Sequence, residues 1–197
     1  MSVMTATACQ PPADPFQPFT LRDLEGMPDD GRRYELIDGV LLVSPAAGRR
    51  HQTIGYLLHH VLYEACPPEF DVIGAPFAVH FPDDDHNELQ PDVVVGRDAD
   101  FTERDLPAPP VLAVEVLSPS TAIHDVNTKK AVYERMGVGS YWVIDPGEEL
   151  LRVFELDADG CYQEVAKVGG TEPFEAARPF PVRIIVRELL GRLASGE

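Results

Sequence analysis

Residues 111–117 read VLAVEVL, an aliphatic run broken by one acid, Glu115. A run this apolar on both alternating faces suits a strand covered from both sides, as in the middle of a layered sheet. Along it Val114 and Val116 share one face, while Ala113, Glu115 and Leu117 share the other, so the carboxylate points where Leu117 points. An unpaired carboxylate in an apolar interior is costly enough that it takes a partner, binds a metal or stays protonated. The chain therefore has to supply something opposite Glu115.

The flanking segments say what kind of sheet this strand joins. RRYELIDGVLLVS divides at Asp38-Gly39, the pair favoured in tight hairpin turns, into strands over 33–37 and 40–44. Residues 48–65 place Ile54, Leu57, Leu58, Val61, Leu62 and Ala65 at helical spacing, with Arg49, Arg50 and His51 at the polar start. FDVIGAPFAVHF, PDVVVG, SYWVIDP, LRVFEL and CYQEVAKV read as strands. LRDLEGM after Thr20, residues 125–137 and VRELLGRL read as helices. Strands with helices before and after a central group predict an α/β or α+β fold with a mixed sheet, centred on PDVVV, VLAVEVL and YWVI.

With 197 residues, 44% hydrophobic and 25% charged, the chain is expected to form one domain over 18–197 behind a flexible, proline-bearing arm over 1–17. The first residues carry no basic region or long apolar run, and no segment reaches the length of a membrane span. A cytoplasmic protein without a membrane partner is expected. Cys9, Cys66 and Cys161 form no CxxC pair, which argues against a disulfide framework or a cysteine zinc site. The net charge of −17 repels polyanions at long range and argues against a non-specific nucleic-acid coat protein. A phosphate-handling role then needs local basic groups or a bound metal.

PDVVV sets Asp92 at the entrance of a strand that can neighbour VLAVEVL, bringing two carboxylates to one sheet edge. Paired carboxylates suit a hard divalent cation, Mg²⁺ or Mn²⁺, which completes its shell with water and substrate phosphate oxygens. On a helical wheel Lys129 falls between Tyr133 and Met136 on the apolar side of the 125–137 helix, and Lys130 falls toward the edge. A core-facing lysine wants an anionic partner, a phosphate oxygen or a nucleophilic water. The plain alternative is a surface pair with Asp125 one turn earlier. Glu35 taken alone reads as a solvent-facing acid, and Asp92 alone as an ordinary strand-end acid. His51 lies at the edge of its helix's apolar face, where it either looks into the site or caps packing; His59 and His60 read as exposed.

With these residues in view, the sequence resembles the Uma-type family of restriction endonucleases, relatives of the PD-(D/E)XK nucleases. The matching pieces are YELIDGVLL, SPAAGRRHQ, PDVVV, VEVLSPST, the D-x-x-x-K-x-x-x-Y run from Asp125 to Tyr133, and GVGSYWVIDP, in family order over about residues 20–160. The resemblance implies a restriction-endonuclease-like core, a mixed central sheet flanked by helices. It also implies Asp92 and Glu115 as metal ligands, Glu35 as a further acid of the cluster and the Val116 carbonyl as a further ligand. The motif's own lysine position holds Leu117, so the resemblance assigns that role to Lys129 on the next helix. Ser140 stands where family members usually carry Glu before Tyr-Trp.

Three functions compete at this stage. In the first, a Mg²⁺- or Mn²⁺-dependent endonuclease, possible as a homodimer, cuts DNA with Glu35, Asp92, Glu115 and Lys129; the basic pairs Arg32-Arg33, Arg49-Arg50 and Lys129-Lys130 line its mouth. The second is a catalytically silent assembly module in which the same groups form a buried ionic network and the sheet provides a dimer surface. The third is a small-molecule phosphoesterase using the same site.

Overall fold

The computed structural model describes residues 17–118 and 124–195. Apart from Gln17, the expected N-terminal arm lies outside the described residues, as do Pro119, Ser120 and Thr121 of the VLSPST segment and the side chain of Asp125.

The short helix α1 (Leu21–Leu24) starts where the Thr20 N–H donates to the Asp23 carboxylate at 2.8 Å, half of a capping box. Strands β1 (Arg33–Ile37) and β2 (Val40–Ser44) form the expected hairpin, with Ile37 opposite Val40. Asp38 and Gly39 at its turn take φ of 50° and 74°. Two positive values in succession are what a type I′ turn requires. Helix α2 (Arg49–Ala65) buries Ile54, Leu58 and Leu62 in one stripe. There follow β3 (Phe70–Gly74), β4 (Ala78–His80), β5 (Glu88–Leu89), β6 (Val93–Arg97), β7 (Asp105–Leu106) and β8 (Leu112–Val116). A π-helical turn, His124–Lys129, runs into α3 (Lys130–Arg135). Strands β9 (Ser140–Asp145), β10 (Leu150–Leu156), β11 (Tyr162–Gly169), β12 (Pro173–Ala176) and β13 (Val182–Ile185) lead to α4 (Val186–Leu189) and a closing 3-10 turn, Gly191–Ser195.

Among the described residues the strands form a six-stranded sheet, β11-β10-β9-β8-β6-β3, a five-stranded one, β2-β1-β5-β4-β7, and the β12-β13 pair. The larger sheet is mixed: β8 and β9 run parallel, joined through α3, while its other neighbours are antiparallel. A parallel pair needs such a crossover, whereas antiparallel neighbours close with short turns. The fold is α+β with a restriction-endonuclease-like mixed core, and the strands expected at its centre occupy its centre.

The period-2 reading of VLAVEVL holds in three dimensions. Leu112, Val114 and Val116 join the hydrophobic cluster built with α2, α4 and the β12-β13 pair. Ala113 joins the cluster on the opposite face with Val132, Tyr133 and Met136 of the α3 region and Ile37, Val79 and Leu89 of the second sheet. Glu115 therefore enters the layer between the two sheets, beside α3.

Three differences from expectation have local causes. The helix expected over 125–137 opens as a π turn, which fits one residue more into the coil than steps of 100° assume. VRELLGRL is broken at Gly191, where φ reaches 55°, so it ends as α4 and a 3-10 turn. Strands β5 and β7 hold two residues each, too few to show a period, and β12 and β13 flank a proline-bearing loop.

Candidate active site

Strand register brings the first two acids together. Val93 pairs with Val114 across β6 and β8; Asp92 directly precedes Val93 and Glu115 directly follows Val114, so both acids lie at the same end of this pairing. The Asp92 N–H donates to the Val114 carbonyl at 2.9 Å, which holds this end of the pairing in place. Glu35 arrives from β1 in the second sheet, and Gln90 receives it: the Gln90 N–H donates to Glu35 Oε1 at 2.8 Å.

Lys129 closes the gap between the sheets. Its Nζ lies 2.9 Å from Glu35 Oε1 and donates to both Glu115 oxygens, at 3.1 and 3.2 Å. One turn later the Tyr133 hydroxyl donates to Glu115 Oε1 at 2.8 Å. Glu35, Glu115 and Lys129 are at most 3% exposed, so the pairing is shielded from water and salt. Burial and the adjacent Glu115 and Glu35 carboxylates push the Tyr133 hydroxyl well above its ordinary pKa, so it stays a donor.

Asp92 is held by a different set. Arg33 Nη1 donates to its Oδ1 at 3.0 Å, His51 Nε2 lies 3.0 Å from its Oδ2, and the Val116 N–H donates to Oδ2 at 2.7 Å. Burial pushes the Asp92 carboxyl up, but the His51 hydrogen bond, the Arg33 guanidinium and the Val116 N–H outweigh it and hold it below its ordinary value. Burial likewise disfavours a charged Arg33, yet Asp92, Glu35 and Glu115 raise its pKa above the usual arginine value. Three acids face two fixed cations here, Lys129 and Arg33.

Arg33, Glu35, His51, Asp92, Glu115, Val116 and Lys129 line one cavity of about 200 Å³, with Ser44, Ser118 and the Pro45–Gly48 segment. Their oxygen donors, three carboxylates and the Val116 peptide, are of the kind that Mg²⁺ or Mn²⁺ takes, and in donor chemistry they fit a hard divalent cation. Their orientation is set by the neighbouring cations: among the described residues no three His, Cys, Asp or Glu side chains are placed to hold a metal ion together. A metal entering this cavity competes with Lys129 and Arg33 for the same oxygens.

Of the residues picked from sequence, Glu35, Glu115 and Lys129 are in direct contact, and Asp92 and Val116 share their cavity. The solvent-facing reading of Glu35 is overturned, since its side chain is buried and meets Lys129. Lys129 pairs with buried acids rather than spending its charge at the surface. His51 looks into the site. His59, expected to be exposed, is half-buried with Nε2 3.0 Å from the Val72 carbonyl, while His60 is exposed as expected. Two partners were missed. Arg33 was seen only as part of a basic pair, although it stands two residues from Glu35 and so on the same face of β1. Tyr133 was counted as core, although it stands one turn from Lys129. Ser140 at the start of β9 accepts a hydrogen bond from Trp142 Nε1 at 3.0 Å, away from the acids.

In this mixed α+β fold, acids at the ends of adjacent strands meet a lysine carried by the π turn that follows β8. The chain belongs to the family described as "Putative restriction endonuclease" (Uma2), whose model matches residues 21–187. Among solved structures it is similar to a protein from Anabaena variabilis described as a putative nuclease belonging to DUF820. The likeness has a TM-score of 0.69 at 20% identity, over 89% of this chain and 99% of that one. None of the curated proteins compared matches this chain.

Proposed function

We propose that this protein is a metal-dependent endonuclease that hydrolyses DNA phosphodiester bonds. The observation that carries this reading is the meeting of Asp92, Glu115 and Glu35, from three strands, with Lys129 in one buried cavity. Asp92, Glu115, Glu35 and the Val116 carbonyl would hold Mg²⁺ or Mn²⁺, which when bound polarises the phosphodiester and makes water more acidic. Lys129 Nζ, a compact charge with three donors, orients the attacking water. Arg33, a planar fork with five donors, and His51 receive the phosphate oxygens, since both line the cavity beside Asp92. The family description and the nuclease-like relative support the same reading.

A second reading, a catalytically silent module, draws on the ion pairs themselves: each acid is already matched by Lys129, Arg33 or His51. In that case the network holds the two sheets together, and edges such as β2, with Val40 and Val43 exposed, are available to a second copy in a homodimer.

Incubation with plasmid and single-stranded DNA in Mg²⁺, Mn²⁺ or EDTA separates the two. The nuclease cuts only with metal, and Asp92→Asn or Lys129→Met slows it by about 100-fold or more. DNA left intact by wild type in every condition, with no metal binding by calorimetry, overturns the catalytic reading.

A further inference from the structure

A larger cavity, about 550 Å³, adjoins the acidic one and shares Arg33, His51, Asp92 and the Pro45–Ala47 turn with it. Gln52, Gly55, Tyr56 and His59 line it from a single face of α2, at i, i+3, i+4 and i+7, next to the face that carries the buried Ile54-Leu58-Leu62 stripe. The facing wall is Gly74–Pro76 with Gln90, and Asp29 and Arg32 flank the entrance. A Cβ at Gly55 would meet nothing within 4 Å, so the space beside Tyr56 is open.

Tyr56 is 74% exposed, and among the described residues it stacks on no other ring. The neighbouring His59, by contrast, stacks on Tyr63 at 6.0 Å and is pinned to Val72. One exposed tyrosine is ordinary on a protein surface. One that borders a cavity continuous with a phosphate-sized acidic site calls for a flat, partly apolar occupant. The volume falls in the range of small-ligand pockets. Gln52, Gln90, Arg32 and Asp29 supply donors and acceptors of the kind that meet base edges. A chain of net charge −17 gains little from tracking a long phosphate backbone, so its affinity for nucleic acid has to come from stacking.

We propose that this cavity is a nucleobase pocket, in which one unpaired base of the strand being cut stacks on Tyr56 while the adjoining phosphate reaches Arg33 and His51. The proposal rests on the nuclease reading and narrows its substrate to single-stranded or locally unpaired DNA. A duplex keeps its bases stacked inside and has to surrender one before it fits.

Binding is measured in EDTA, so no cleavage is needed, by fluorescence of 2-aminopurine in a single-stranded oligonucleotide. A duplex of equal length and a nucleoside monophosphate are run beside it. The single strand binds tightest of the three and its fluorescence is quenched. Tyr56→Ala weakens binding by about 5- to 100-fold, whereas Tyr56→Phe stays within about 2-fold of wild type. Equal or tighter duplex binding, binding of the monophosphate alone, no binding at all, or indifference to Tyr56→Ala each overturns the pocket. Single-strand binding that depends on Tyr56, in a protein that cuts nothing when metal is added, upholds the pocket and removes the nuclease reading instead.

Discussion

Lys129 carries more of this site than any other residue, because it answers two buried acids at once. A buried ion pair gains little net stability, but removing one partner leaves an uncompensated charge, at a cost of about 3–5 kcal/mol. Lys129→Met is expected to lose about that much in urea unfolding, and adding Glu115→Gln recovers part of it; a double variant no more stable than the single one would mean that the two groups do not act through each other. Asp92 gives a pH signature. Its pKa in the folded protein lies below the ordinary 3.8, so the folded state favours the ionised form. The stability this supplies is fully present above the unfolded value and is lost as pH falls through the folded one. The advantage of wild type over Asp92→Asn should hold from pH 7 to about pH 4 and shrink below that, as followed by chemical denaturation across the range. At this scale Glu115 and Lys129 were legible in the sequence, because a charge in an aliphatic repeat breaks a period. Arg33 was not, because a basic pair in a strand has no such contrast with its neighbours.

Elements deliver those residues to one place. The β1-β2 turn positions Arg33 and Glu35 by fixing the hairpin register. A Cβ at Gly39 would collide with the Pro18 Cβ, at a φ that L side chains resist. Gly39→Ala is expected to lower stability by about 1–3 kcal/mol. It should also weaken the Arg33-dependent binding of DNA, measured on protein confirmed to be folded; unchanged stability would show that the turn relaxes without strain. Asp-Gly between two apolar strands made this hairpin readable, and the Ile54-Leu58-Leu62 spacing did the same for α2. The π turn before α3 was not readable, since hydrogen bonds reaching one residue further back leave no mark on composition.

Over the whole molecule, the acidic balance limits how nucleic acid is held. Each neutralised phosphate contributes roughly −0.7 to −0.9 to the slope of log affinity against log salt. With Arg32, Arg33, His51 and Lys129 the basic groups that could meet phosphate at the two cavities, the slope for single-stranded DNA is expected between about −1 and −3. A titration across salt concentrations giving a much steeper slope would reveal phosphate contacts beyond the two cavities. No helix among the described residues is long and apolar enough to cross a membrane.

The sequence by itself determined that Glu115 sits in a strand covered on both faces and that Asp92 stands at the entrance of a strand, because alternation with a period of two marks both strands, and it left Lys129 open between the core and a surface pair with Asp125. Only the tertiary structure decided who meets whom. Arg33 reaches Asp92 across 59 positions and Gln90 reaches Glu35 across 55. Such contacts depend on one sheet packing over another, and no short-range repeat along a chain records which distant strand will cover a charge.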